Sequence, residues 1–166
     1  MAIFGYDTKK TGGDSAWDFI GSLFTASEDG NVTSISVAIW NYDGSAHNIN
    51  VGIYADNAGA VGDHIAHGVA SSVSASFNGW KTINVSASLV SGNSYWLVAE
   101  CDSDNVLLWL GYQTGYRRYW DASHTFDTWG VPSGGNYYDN NVVSIYATYT
   151  PAGGGFSRAP TMFNVL

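Results

Sequence analysis

Val32-Thr33-Ser34-Ile35-Ser36-Val37-Ala38-Ile39-Trp40, followed by Asn48-Ile49-Asn50-Val51-Gly52-Ile53-Tyr54, is the stretch whose reading decides the fold. Ile35, Val37 and Ile39 alternate with small or polar residues, and Ile49, Val51 and Ile53 do so again. Successive side chains of a strand point to opposite faces. A period of two therefore gathers each trio on one face and leaves Ser and Asn largely on the other. Between the trios, Asn41-Tyr42-Asp43-Gly44-Ser45-Ala46-His47 is rich in turn formers, and the simplest connection is an antiparallel hairpin. One face is built for a core, the other for water or a partner.

The rest of the chain supplies companions for that buried face. Gly21 to Ala26 reads as the first strand of a sandwich, and Glu28-Asp29-Gly30-Asn31 turns it into the central pair. Ala55 to Asp63, dense in Gly, Asn and Asp, reads as a long turn, with a short strand at Ile65 to Val69. Trp80 to Val85 is a further strand. Ser94-Tyr95-Trp96-Leu97-Val98-Ala99-Glu100-Cys101 is apolar at nearly every position, which suits a central strand covered on both sides. Val106 to Tyr112 and Val142 to Tyr149 complete a set of roughly eight to ten strands. No segment has a helical period. The fold expected is all-β: a two-sheet antiparallel β-sandwich, jelly-roll-like, with a short N-terminal arm and a C-terminal tail. Its divisions are 1–20 for an arm or edge strand and loop, 21–150 for the sandwich, and 151–166 for a Gly-rich linker and apolar tail.

Composition agrees. With 166 residues the chain can bury roughly 70% of its unfolded surface as one domain, so stability requires neither disulfide nor metal. Aromatics reach 15% and charged residues only 12%, a balance that favours strands and tight turns. The net charge of −8 repels nucleic acid and anionic membrane, so neither is an expected partner. Cys101, the only cysteine, cannot form an internal disulfide, and in an apolar strand it reads as a buried inert thiol. Met1 to Asp7 has neither a basic region nor a long apolar run, so no secretory signal and no membrane span are expected. That places the chain in the cytoplasm, or in a virus particle assembled there and released by lysis; the alternative is extracellular or at the cell surface.

Several phrases together resemble a known domain. They are Phe24-Thr25-Ala26 before Gly30-Asn31-Val32-Thr33-Ser34-Ile35, Val51-Gly52-Ile53-Tyr54-Ala55-Asp56-Asn57-Ala58-Gly59-Ala60-Val61-Gly62, Gly92-Asn93-Ser94-Tyr95-Trp96-Leu97-Val98, and Ser144-Ile145-Tyr146-Ala147-Thr148-Tyr149. The resemblance, over about residues 20–150, is to a β-sandwich domain that recurs in bacterial and archaeal surface proteins and in phage structural proteins. It implies display, adhesion or glycan contact, and brings no catalytic residues with it.

Chemistry is sparsely signalled. His47, His64, His67 and His124 are scattered, and the spacing of three between His64 and His67 is poor for two ligands on one strand face. Asp56, Asn57 and Asp63 in a Gly-rich loop, and Glu100, Asp102 and Asp104 where a strand enters a turn, could supply oxygens to calcium; of these Asp56, Asp63, Asp102 and Asp104 are weak candidates without an EF-hand pattern. There is no Gly-x-Ser-x-Gly elbow and no phosphate-binding loop, so no catalytic residue, metal or cofactor is expected. The aromatic cluster from Trp109 to Tyr138 is the expected contact surface, foremost through Tyr112, Tyr116, Tyr119, Trp120, Trp129 and Tyr137. The competing reading is that these rings pack a small core of their own. Phe156, Met162, Phe163, Val165 and Leu166 follow the Gly153-Gly154-Gly155 joint and read as an assembly tail for a neighbouring copy or partner. The function expected is a non-enzymatic structural or display protein of a larger assembly, foremost a phage capsid decoration or tail component, as a homo-oligomer or bound to a capsid or tail protein. The alternative is a carbohydrate-binding module or adhesin working through the aromatic loops.

Overall fold

In the computed structural model, which describes residues 1–16, 18–132 and 137–153 (of Tyr137 the backbone only), the two alternating trios lie in different sheets. The strands in chain order are β1 (Ala2–Gly5), β2 (Gly12–Ser15), β3 (Phe19–Thr25), β4 (Gly30–Asn41), β5 (His47–Asn57), β6 (Ala60–His67) and β7 (Ser71–Val73). They continue with β8 (Asn78–Leu89), β9 (Ser94–Cys101), β10 (Val106–Tyr112), β11 (Arg118–Asp121), β12 (Tyr137–Asp139), β13 (Asn141–Val143) and β14 (Ile145–Pro151). One seven-stranded sheet runs β1-β14-β4-β10-β13, with β2 on β10 and β8 on β4. The other runs β12-β11-β3-β9-β5-β6, with β7 on β5. All pairings are antiparallel and neither sheet closes into a barrel, so the fold is a two-sheet β-sandwich. From β3 to β5 and again from β8 to β11 each step changes sheet, as in a jelly roll.

The expected hairpin is therefore replaced by an arch. β4 pairs with β8, β14 and β10, while β5 pairs with β9, β6 and β7. Both trios are fully buried and belong to one core between the sheets. Alternation dictates that each trio needs an apolar neighbour, and facing each other across the core supplies it as well as lying side by side does. Side chains hold the arch. The Asn41 amide, fully buried, donates to the carbonyls of Ser45 and Ser74 at 2.8 and 3.0 Å. Asp43 accepts the Ser45 N–H at 2.7 Å and meets His47 Nε2 at 2.9 Å. The His47 bond, and then the Ser45 N–H, hold the Asp43 carboxyl below its ordinary value.

Three further expectations are corrected. Ala55 to Asp63 is not a long turn: β5 and β6 form a hairpin whose two central residues, Ala58 and Gly59, have φ of 53° and 86°. Positive φ at both positions matches the right-handed twist of the flanking strands. Val142 to Tyr149 is not one strand but two, β13 and β14, broken at Ser144, whose backbone serves Trp109 and Ala38 instead of a ladder. And fourteen strands among the described residues replace the eight to ten expected, the surplus being short pieces such as β2, β7, β11, β12 and β13. β9 is covered on both sides. Tyr95, Leu97, Ala99 and Cys101 face the main core, while Trp96 and Val98 enter a second cluster on the outer face with Phe19, Tyr54, Val61 and Tyr119. Burial pushes the Cys101 thiol up to about 12, so it stays protonated and unreactive at neutral pH.

Candidate functional site

The aromatic region does not form one surface. Tyr119 is fully buried in the second cluster, with Phe19 at 6.0 Å and Tyr138 at 5.4 Å between ring centroids. Tyr116 is half-buried against Tyr6 and Phe24. Trp120 is half-buried beneath the Arg118 guanidinium at 4.4 Å, and Tyr112 stands 70% exposed at the end of β10. Tyr137 lies in β12, and its side chain is outside the described residues, as are Phe156, Met162, Phe163, Val165 and Leu166 of the expected tail. Of the expected contact set, Tyr119 and much of Trp120, Tyr116 and Trp129 serve packing. The strands demand this, because Phe19, Tyr54, Trp96 and Val98 on the outer face of the second sheet need a cover of their own.

Tyr119 and Tyr138 cover Trp96, while the segment of residues 121–132 covers Phe19 with His124 and Tyr54 with Trp129, and a polar clasp secures that segment. Glu100, 1% exposed on the outer face of β9, accepts the Asp127 N–H through Oε1 at 2.9 Å. Asp127 has a φ of 61°, a left-handed conformation that Asp tolerates better than most residues. Its Oδ1 accepts from Asn50 Nδ2 at 2.9 Å and from Trp129 Nε1 at 3.1 Å. Tyr54 OH donates to the Gly130 carbonyl at 3.2 Å. Glu100 Oε2 lies 3.1 Å from His124 Nε2, and Thr128 Oγ1 lies 3.4 Å from that same nitrogen. A proton relay needs its carboxylate and its nucleophile on opposite nitrogens of the imidazole. This arrangement anchors a loop and carries no relay.

Two surfaces are more distinctive, and of the first sequence reasoning reached only Trp109. On the outer face of the first sheet, Trp40 stacks on Trp109 (6.0 Å, 7°) and meets Tyr42 at 5.8 Å. Trp80 and Tyr146 meet at 5.1 Å across β4, above Ser36, whose hydroxyl bonds Thr82 at 2.8 Å. Lys9 lies 4.6 Å over the Trp109 ring and donates to Asn78 at 2.6 Å. Lys10 lies 5.0 Å over Tyr6 and donates to Gln113 at 2.8 Å. The three lysines of the chain, Lys9, Lys10 and Lys81, make no ion pair among the described residues, although the chain has 14 acidic residues. The signal was present: positions 36, 38 and 40 continue the outward alternation of β4, and the last of them is Trp where a solvated face would carry a polar residue.

The second surface is the histidine pair, which lies on one face despite its spacing of three. Ile53 faces Ala66 and Tyr54 faces His64, so Ile65 is the extra residue of a β-bulge. The bulge cancels one step of alternation and turns His64 and His67 to the same outer face, with His67 Nδ1 3.1 Å from His64 Nε2. His67 stacks flat on Trp129 (4.6 Å, 2°), and His64 packs on Tyr54 at 5.1 Å. Gly52, opposite His67, is what admits the indole: a Cβ there would collide with the Trp129 ring. Burial, and then His67, hold the His64 imidazole below its ordinary value.

The weak calcium candidates do not converge. Asp56 caps the hairpin by accepting the Gly59 N–H at 2.8 Å, and Asp102 accepts from the backbone and side chain of Asn48 at 2.9 and 2.8 Å. Among the described residues no group of three or more His, Cys, Asp or Glu is placed to hold a metal ion. Neither protein-family models nor curated proteins match the chain.

Proposed function

We propose that this chain is a non-enzymatic structural or display protein of a larger assembly, with a phage capsid decoration or tail component as the leading reading, as the resemblance of its strand and turn phrases implies. The observation that carries the proposal is the outer face of the first sheet. Trp40, Tyr42 and Trp109 group there, with Trp80 and Tyr146 as a second ring pair, beside Lys9 and Lys10, which have no carboxylate partner among the described residues. Aromatic residues dominate the energetics of protein interfaces, and an acidic rim on the neighbouring protein would complete the lysines. The ring faces of Trp40 and Trp109 are already engaged with one another and with Lys9, so this tract offers edges more than free planes. A sugar ring needs a free plane. The carbohydrate-binding alternative accordingly rests on Tyr112, which is exposed, and on the rings of Trp80 and Tyr146.

The test is co-sedimentation of the purified chain with capsids and with tails prepared without it. The double variant Trp40→Lys, Tyr42→Ser changes two exposed residues, and we expect its melting midpoint to stay near that of the parent. Its binding to the particle should weaken by about 2 kcal/mol or more, the scale of an aromatic hot spot. Unchanged binding removes this face from the proposal. Glycan-array binding by the monomer that is lost in Tyr112→Ser would shift the reading to the carbohydrate module. The tail is tested separately: deleting residues 153–166 should leave the melting transition of the sandwich intact and abolish assembly, and either a truncated chain that still assembles or one that no longer folds would discard Phe156, Met162, Phe163, Val165 and Leu166 as the anchor.

A further inference from the structure

We infer that His64 and His67 form a two-nitrogen site for a divalent transition metal of the copper, nickel or zinc class, on the outer face of the second sheet. His67 Nδ1 and His64 Nε2 approach to 3.1 Å. A metal bonded to each imidazole nitrogen at about 2.0–2.1 Å would subtend an angle of roughly 100° across that span, between the cis angle of a square plane and that of a tetrahedron. Neutral imidazole suits this class of ion, whereas calcium and magnesium prefer oxygen.

The scaffold holds the pair ready. The bulge at Ile65 turns both side chains to one face, and both rings are braced: His67 flat on Trp129, His64 against Tyr54. Trp129 is itself fixed through Asp127 to Asn50 and Glu100 on the strands below. A chelating pair whose rings are immobilised before binding loses less entropy on binding. With no third protein ligand among the described residues, water would complete the coordination, and the site would be open on its solvent side. The bland alternative is that one ring N–H simply donates to the other ring nitrogen, with no role for a metal.

Copper(II) alone is the probe. Calorimetric titration of the whole chain at neutral pH should show one ion bound per chain. The electron paramagnetic resonance spectrum of the complex should show hyperfine coupling to two nitrogens. In His64→Gln and in His67→Gln the spectrum should fall to one nitrogen and the affinity should drop by about a hundredfold or more, because the second nitrogen no longer binds as an intramolecular event. His47→Gln, at the distant arch, should change neither. Absence of saturable binding, or a wild-type spectrum without two nitrogens, overturns the inference whatever the variants do. So does binding that survives both substitutions.

Discussion

Replacing Val51 by aspartate is expected to cost about 3 kcal/mol or more of stability. Val51 is fully buried at the middle of β5, opposite Ala99 of β9, and its side chain belongs to the core between the sheets. The carboxylate would enter a cluster of apolar side chains that includes Ile35 and Val37. It would either stay ionised at a large desolvation cost or take up a proton and leave its hydroxyl unsatisfied. For a chain of this size the melting midpoint should fall by on the order of 6–12 °C. Ser86→Asp is the control, an exposed position on the edge strand β8, where the change should stay within about 0.5 kcal/mol. A Val51→Asp melting curve that overlays the parent would mean that the alternating trio faces outward.

How much of this was legible depends on what the signal encodes. Alternation reports which face of a strand is buried, and Ile35, Val37, Ile39, Ile49, Val51 and Ile53 are all buried as their spacing requires. The unbroken apolar run of β9 reports two covered faces, and both are covered. Alternation does not report which strand lies alongside, because one apolar face can be satisfied by a neighbour or by the opposite sheet. The arch between β4 and β5 was invisible for that reason. The histidine pair was invisible for another: a single bulged residue, Ile65, reverses the parity on which every strand-face argument rests. The aromatic region was sorted by distant partners. Nothing within residues 112–140 says that Gly52, lacking a side chain, leaves room for Trp129, or that Phe19 and Trp96 need Tyr119 as cover. The Trp40 tract could have been found, since its rings fall on outward positions of strands whose inward positions were already identified.

Arg118→Ala is expected to cost about 3 kcal/mol at neutral pH, and the cost should shrink as the solution is acidified. Arg118, on β11 of the second sheet, is 6% exposed. Its Nη1 donates to Asp14 of β2 in the first sheet at 2.7 Å, and its Nε and Nη2 grip both oxygens of Asp139 at 3.1 and 2.6 Å. One guanidinium thus ties the two sheets together at an edge, and its fork geometry is one that lysine does not reproduce. Removing it leaves two carboxylates facing a void. Asp14 and Asp139 are 41% and 30% exposed, so water can reach them, which places the cost at the lower end of the range for a broken buried pair. Burial pushes the Asp139 carboxyl up, but the bonds from Arg118 and Asn141 outweigh it and hold the group below its ordinary value of 3.8. A carboxyl with a depressed folded value stabilises the fold above its unfolded value, and that stabilisation is lost as the pH falls through the folded value. Asp18 acts in the opposite sense: burial, Asp14 and Asp121 raise it, and Arg118 restrains the rise. In the variant that restraint is gone, so acid relieves the variant while it weakens the parent. Both effects close the gap between them. Urea unfolding of parent and variant at neutral pH and at steps down through 3.8 should show two stabilities that converge. A gap that stays constant with pH would assign the loss to the packing of Arg118 on Trp120, 4.4 Å away, and not to the carboxylates.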